Sequence, residues 1–205
     1  MARFIESEHP RDKDGKFTNK NKTSSSAIDL IEPLDEKSYY EGIKMEYENS
    51  TNQDLLNFIY QQLESPNPKA RFTISEANKK QIEDIKNLLG IDVTGFKNVI
   101  DHSAIMHIKN RHGINGKADK SMSNPKDLAR IGYILENYDS IEILTKKDGK
   151  QKFSGGYRNK SGGSATVVVF TKRINGYYVT SQAIVDSQNK SLFIETAYKT
   201  NKIKK

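Results

Sequence analysis

Three of the four histidines of this chain, His102, His107 and His112, fall within eleven residues. Imidazole is the side chain best suited to transferring protons near neutral pH, so this cluster indicates general acid–base chemistry. Positions 141–205 contain thirteen Lys and Arg against four Asp and Glu, a net charge of +9. A basic region attracts polyanions, although positive charge is as often a means of keeping a protein soluble. Acid–base groups combined with a basic region point to RNA as the substrate.

The spacing of the histidines decides which of them can cooperate. At about 100° per residue, helical positions five apart differ by about 140°, so the three imidazoles do not share one face of a straight helix. A helical zinc pair uses positions i and i+4, an arrangement that these histidines lack, so we expect no metal site. His107 and Arg111 are i, i+4 neighbours, which suggests a proton-transfer group beside a phosphate ligand. His112 is equally well explained as a helix-end histidine stabilised by the helix dipole, and His102 as part of the helix entry.

Composition limits the class of protein. The 205 residues suffice for one domain with a tail or a small helical appendage, and 29% of them are charged. The chain contains no cysteine, which excludes disulfides, thiolate zinc sites and cysteine nucleophiles. No apolar run approaches the roughly 20 residues of a membrane span, and the N-terminal residues Met1 to Glu8 lack the apolar stretch of a secretory signal. We therefore expect a cytoplasmic protein without a membrane partner.

The chain divides into four zones. Residues 1–35 contain too few apolar groups to offset the entropy of ordering, so we expect a disordered tail. Residues 36–68 are acidic and show helical spacing, which predicts an acidic helical arm and a candidate mask for a basic site. Residues 69–200 form the main domain, and residues 201–205 form a short basic tail.

The main domain shows helical patterns first and strand patterns second. We expect a helix that opens at Ser75-Glu76 and stops at Gly90, a second helix over about 103–111, and a third that begins at Asn124-Pro125. The later segments are rich in β-branched and aromatic residues, which predicts strands over about 141–145, 152–157, 166–172, 177–185 and 192–198. The fold class is therefore α+β, with N-terminal helices packed on an antiparallel meander of four to five strands.

Three segments together resemble one nuclease superfamily. They are the run Ser103-Ala104-Ile105-x-His107-Ile108-x-x-Arg111-His112-Gly113, the helix with Asp127, Ile131 and Ile134, and the strand Leu192-Phe193-Ile194-Glu195-Thr196-Ala197-Tyr198-Lys199. This region, from about Arg71 to Lys199, resembles the phage-associated branch of the barnase–EndoU–colicin–RelE superfamily. The N-terminal run Pro10-Arg11-Asp12-x-x-Gly15-Lys16-Phe17 is similar to one found in phage head-morphogenesis and portal-associated polypeptides, which suggests a phage or prophage origin.

The resemblance implies helices against a four-stranded antiparallel sheet and metal-independent RNA cleavage. In that reaction the ribose 2′-hydroxyl attacks the adjacent phosphate and leaves a 2′,3′-cyclic phosphate. The resemblance assigns proton transfer to His107 and His112, with their order open. Arg111 and Lys199 would hold the phosphate, and Thr196 and Tyr198 would donate hydrogen bonds from the last strand.

The alternation of residues in the last strand gives further support to this assignment. Simple alternation places Leu192, Ile194, Thr196 and Tyr198 on one face, an apolar face that becomes polar toward a rim. A frayed edge strand would look the same. Further candidates for binding the substrate are Arg158, Lys160, Lys172 and His102. The first two lie in a glycine-rich hairpin, which is more often only a mobile loop.

The resemblance also indicates partners. RNA is the expected substrate, with transfer RNA the usual one for toxins of this superfamily, and an immunity protein or a phage structural protein is an expected protein partner. No cofactor is expected. The alternative function is a catalytically inactive protein of phage origin that binds nucleic acid or a host protein on the same fold.

Overall fold

The computed structural model describes residues 49–174, 176–186 and 189–201. The described helices are α1 (Gln53–Glu64), α2 (Lys79–Leu89), α3 (His102–His112), α4 (Pro125–Ala129) and α5 (Ile131–Glu136). The strands are β1 (Arg71–Glu76), β2 (Lys97–Asp101), β3 (Ser140–Ile143), β4 (Phe153–Arg158), β5 (Ser164–Arg173), β6 (Tyr177–Val185) and β7 (Ser191–Thr200). None of these helices has the length and apolar character needed to cross a bilayer.

The strands form one sheet in the order β1-β2-β7-β6-β5-β3, and β4 pairs separately with β5. Strands β5, β6 and β7 are an antiparallel meander, as the sequence predicts. Strand β2 runs parallel to β7, and β1 pairs antiparallel with β2. The α+β class is therefore confirmed, and the sheet extends beyond the predicted meander by the two strands β1 and β2.

The predicted helix start at Ser75-Glu76 is wrong, because both residues belong to β1. Asn78 is the actual N-cap: its side chain accepts a hydrogen bond from the backbone of Gln81, whose side chain bonds back to the Asn78 backbone. This reciprocal capping box satisfies two otherwise unpaired donors and starts the helix at Lys79. The predicted stop is confirmed, since Gly90 adopts a left-handed φ of 71°.

Apolar side chains lie on both faces of the sheet, but in unequal amounts. The helices cover one face of the sheet, and the main core lies between them. This core contains Ile105, Phe170, Ile184 and Ile194 among many other apolar residues. The opposite face carries a small cluster that includes Phe193. A face covered by few apolar groups remains available for a polar site.

Helix α1 belongs to the main core. Leu55 and Ile59 are fully buried there, and Asn52 caps the helix by accepting a hydrogen bond from the Leu55 backbone at 2.9 Å. The predicted boundary at residue 68 thus does not separate this helix from the main domain, because its apolar stripe needs the surface of the domain to be buried. The predicted tail over residues 1–35, residues 36–48 of the arm and residues 202–205 lie outside the described residues.

A buried carboxylate connects the helices to the sheet. Asp127, which is 4% exposed, accepts hydrogen bonds from Arg130 at 2.9 Å and from the Tyr178 hydroxyl at 3.0 Å on Oδ1. Its Oδ2 accepts from the Lys199 ammonium at 2.9 Å. Two cations and a hydroxyl thus compensate one desolvated carboxylate, and they join α4 to β6 and β7.

Removal of this carboxylate should destabilise the fold strongly. We expect Asp127→Ala to lower the free energy of unfolding by about 3–5 kcal/mol, because two buried or half-buried cations lose their counter-charge. Urea denaturation measures the change. Lys126→Ala, at an exposed position on the same helix, is the matched control and should change stability by no more than about 0.5 kcal/mol. Equal stabilities for the two variants would contradict this description of the cluster.

Candidate active site

Two adjoining cavities form one cleft on the sheet face opposite the main core. Their volumes are about 600 and 460 Å³, and they share the lining residues Leu144, Lys152, Ser181 and Thr196. The first cavity contains His107 and the second contains His112. The predicted proton-transfer residues therefore line adjoining cavities of a single cleft.

Helix α3 forms one wall of the cleft because β2 ends early. Strand β2 pairs with β7 only as far as Val99 and Phe193. Asp101 then caps α3 by accepting a hydrogen bond from the Ala104 backbone at 2.8 Å, so the chain turns directly from strand to helix. The helix packs beside the remaining part of β7, which places its histidines next to the end of that strand.

A β-bulge in β7 brings two successive side chains into the cleft. Ile194 pairs with Gln182 and Thr196 pairs with Ser181, so Glu195 is an extra residue without a partner on β6. Glu195 and Thr196 both line the cleft, whereas Ile194 is buried in the main core. Bulges of this kind commonly redirect side chains beside active sites.

The bulge overturns the simple alternation expected for this strand. Leu192 and Ile194 lie in the main core, while Thr196 and Tyr198 line the cleft on the other face. The prediction that these four residues share one face is wrong, because an inserted residue shifts the alternation by one position. The same shift is what gives Thr196 and Tyr198 access to the cleft.

His107 is an exposed residue on α3 whose imidazole lines the first cavity. Desolvation at the cleft wall lowers its pKa, and the positive charges of Arg111 and of His112 lower it further. The Glu195 carboxylate acts in the opposite direction. The net shift is downward, so His107 is largely neutral near pH 7 and is suited to accept a proton.

His112 is held more rigidly than His107. The residue is only 9% exposed, its Nδ1 lies 2.8 Å from Asp119 Oδ2, and its ring stacks on Tyr198 with centroids 5.2 Å apart. Gly113 lets the chain leave the helix here, since a Cβ on that residue would lie 2.4 Å from the Lys109 carbonyl oxygen. With the Nδ1 hydrogen donated to Asp119, Nε2 is the nitrogen available for proton transfer.

The Asp119 carboxylate is suited to accept the hydrogen bond from His112 Nδ1. Desolvation raises the pKa of its carboxyl, but hydrogen bonds from the side chain and backbone of Ser121 and from His112 outweigh that effect and hold the pKa below its usual value. The backbone of Asp119 is fixed by a hydrogen bond to the Arg111 carbonyl at 3.1 Å. A charged, fixed carboxylate orients the imidazole of His112 and compensates the charge of its protonated form.

Two of the predicted residues of β7, Thr196 and Tyr198, supply hydrogen-bonding groups to the cleft. The Oγ1 atom of Thr196 is buried and has no hydrogen-bond partner among the described residues. Burial raises the pKa of the Tyr198 hydroxyl, and the nearby Asp119 and Glu142 carboxylates raise it further. Tyr198 therefore stays protonated at neutral pH and can donate a hydrogen bond.

Asp119, Lys152 and Glu195 are charged residues of the cleft that were not among the candidates from the sequence. Lys152 lines both cavities and supplies a cation to the wall that they share. Glu195 accepts a hydrogen bond from the buried Ser154 hydroxyl and lies close enough to His107 to affect its pKa. The apolar positions Ile194 and Ala197 break the two-residue period on either side of Glu195, and this break was the available signal for a bulge. No local pattern marked Lys152.

Two predicted cations of the sheet lie outside the cleft, in ion pairs. Lys199 projects to the core side, where it binds Asp127, so its predicted role in holding the phosphate is not supported by its position. Lys172 lies 3.3 Å from Asp139. Each of these lysines follows a residue that does line the cleft: Lys199 follows Tyr198, and Lys172 follows Thr171.

The remaining predicted binding residues also do not line the cleft. His102 Nδ1 lies 3.2 Å from Gln62 Oε1 on α1, and Arg158 donates a hydrogen bond to Ser164 on β5. Lys160 is exposed in the turn after β4. Arg111 is exposed on α3 and affects the site through its charge on His107. Within the described ranges, no group of three or more acidic, His or Cys side chains could hold a metal ion.

The pKa of His107 can be measured directly. We expect its imidazole to titrate below the ordinary value of about 6.5 in an NMR titration. Arg111→Gln should raise this pKa because a repelling charge is removed, and Glu195→Gln should lower it further because an attracting charge is removed. Lys109→Gln, at an exposed position on the same helix, is the control. An unchanged His107 pKa in both cleft variants would contradict the described electrostatics.

Comparison with known proteins places this chain in a family. A family model described as phage-Barnase-EndoU-ColicinE5/D-RelE like nuclease3 matches residues 75–205, which include α2 to α5, most of the sheet and every residue of the cleft. No curated protein and no solved structure matches the chain. The match confirms the resemblance seen in the sequence. The chain belongs to this family of phage-associated, nuclease-like domains.

Proposed function

We propose that this protein is an endoribonuclease that cleaves RNA without a metal ion, by attack of the ribose 2′-hydroxyl on the adjacent phosphate. The observation that supports this proposal most strongly is that His107 and His112 line the two adjoining cavities of one cleft and that Lys152 lines both cavities. Transesterification of this kind needs a base, an acid and stabilisation of the charge that develops on the phosphate, and the cleft offers a group for each.

The two histidines take different roles. His107 accepts the proton of the 2′-hydroxyl, because its lowered pKa leaves the ring neutral at the working pH. The 2′-oxygen then forms a bond to phosphorus while the bond from phosphorus to the 5′-oxygen breaks. His112 donates its proton to the leaving 5′-oxygen, and Asp119 holds the ring in position for this transfer. The products are a 2′,3′-cyclic phosphate and a free 5′-hydroxyl.

Three further groups stabilise the developing charge. Lys152 supplies a positive charge at the wall that both cavities share. Thr196 offers a hydroxyl whose Oγ1 has no partner among the described residues, and Tyr198 offers a protonated hydroxyl. Donors fixed in place before the reaction stabilise a transition state without the cost of reorganising water.

The setting proposed for this activity is the cytoplasm of a bacterium that carries a phage or prophage, with an RNA such as transfer RNA as the target. The family description supports the association with phage. An immunity protein or a phage structural protein remains the proposed protein partner. The alternative function, an inactive protein that only binds nucleic acid, is an outcome of the test below.

Incubation of the purified protein with total RNA and a chelator tests the proposed chemistry. We expect fragments with 2′,3′-cyclic phosphate ends. His107→Ala and His112→Ala should each reduce the rate by about 10²–10⁴-fold, because each removes one proton-transfer group. His102→Ala is the matched control, since its imidazole contacts α1 outside the cleft and should leave the rate unchanged. Binding without cleavage by the unaltered protein would favour the alternative function.

The contribution of Lys152 can be tested separately. We expect Lys152→Gln to slow cleavage by about 10²–10³-fold, the loss typical of removing one stabilising group from the transition state. Lys150→Gln is the control, because that side chain is 80% exposed two residues away and does not line the cleft. Equal effects of the two substitutions would show that Lys152 acts only through the overall charge.

A further inference from the structure

We propose that a groove beside the cleft is a second RNA subsite, which binds phosphates of the strand away from the linkage that is cleaved. This basic groove is lined by Arg71, Lys97 and Lys190 above a floor of Val99 and Phe193, and its volume is about 400 Å³. The inference rests on the proposed function, since it concerns how the same substrate is held.

The basic groove continues the surface of the cleft. Its floor residues Val99 and Phe193 belong to the small apolar cluster on the sheet face that carries the cleft. The Tyr157 ring stacks on the Phe193 ring with centroids 4.6 Å apart and planes 11° apart, and Tyr157 also lines the first cavity of the cleft. The two ring faces thus form the boundary at which the groove and the cleft meet.

The charges of the groove suit a polyanion. Arg71, Lys97 and Lys190 are exposed, and none of them forms an ion pair with a described residue. No carboxylate lines the groove, whereas Asp101 and Glu195 line the adjoining cavity of the cleft. Phosphates that flank the cleaved linkage are therefore attracted by the three cations of the groove and repelled by the Asp101 and Glu195 carboxylates.

Two of the cations are positioned by aromatic rings. The Arg71 guanidinium carbon lies 5.2 Å from the centroid of Phe193, at the boundary with the cleft, and the Lys190 ammonium lies 5.8 Å from the centroid of Phe96. Lys190 also has a positive φ of 26°, which is uncommon for a residue other than glycine. Backbone held in such a conformation is concentrated at binding sites.

The position of the groove sets the length of RNA that can reach it. The groove extends across β1, β2 and β7, and neighbouring strands are about 4.8 Å apart, so it covers about 10 Å of the sheet. A dinucleotide bound at the cleaved linkage does not fill both sites. Only a longer strand can place one phosphate in the cleft and others in the groove.

The salt dependence of RNA binding tests this proposal. Fluorescence anisotropy would compare two proteins in a His107→Ala background, which slows cleavage. One carries Arg71→Gln, Lys97→Gln and Lys190→Gln, and the other carries the control substitutions Lys109→Gln, Lys117→Gln and Lys126→Gln at exposed positions. For single-stranded RNA long enough to span the cleft and the basic groove, we expect the slope of log affinity against log salt to decrease in magnitude by about 2 in the groove variant alone. The affinity for a dinucleotide should be the same in both variants.

A smaller salt slope in the groove variant alone would support the second subsite. Equal salt slopes for the groove and control variants, or an equal loss of affinity for the dinucleotide and the long strand, would overturn it. If the triple groove variant fails to fold, each single substitution should decrease the slope by about 0.7. Failure of the proposed chemistry is distinguishable, because the unaltered protein would then bind the long strand with the full slope and would not cleave it.

Discussion

The extra residue in β7 is the constraint on which the site depends. Before Glu195 the strand places Phe193 on the cleft face and Ile194 in the core, and after it Thr196 and Tyr198 take the cleft face. The bulge thus turns the polar end of the strand toward α3. Because β2 ends early and continues as α3, the helix meets β7 where the strand changes its alternation. Imidazoles from the helix and hydroxyls from the strand can therefore share one cleft.

Adjacent residues of β7 point to opposite faces of the sheet and have different roles, one in the cleft and one in the core. Tyr198 lines the cleft, and Lys199 beside it reaches the buried Asp127 on the other face. One strand therefore supplies both a group for the site and the ion pair that fixes the strand to the helices. Lys199, one of the two cations that the resemblance assigns to phosphate binding, has a structural contact instead. Lys152, which immediately precedes β4, lines both cavities of the cleft.

The sequence predicts those parts of the fold that are governed by local signals. Helix α3 extends one residue beyond the predicted range of 103–111 at each end, and β5 to β7 follow from their β-branched and aromatic residues. Strand β1 was missed because its last residues, Ser75-Glu76, have the pattern of a helix start, and β2 was missed because it pairs with β7, which is distant in the sequence.

The site was predicted only in part, for a similar reason. His107, His112, Thr196 and Tyr198 were identified through the resemblance, and all four line the cleft. The orientation of β7 depends on one unpaired residue, and the position of Lys152 depends on how β4 folds over the sheet. The sequence shows a break in the two-residue period around Glu195 but not the partner strand that the bulge faces, and no local pattern marks Lys152.

The most direct test of the central claim is the pH dependence of kcat/KM for RNA cleavage. The account predicts a bell-shaped profile whose rising limb follows the pKa of His107 and moves to higher pH in Arg111→Gln, because the base is active only when neutral. A profile without a rising limb in the histidine range, or a limb that does not move when Arg111 loses its charge, would contradict the assignment of His107 as the base.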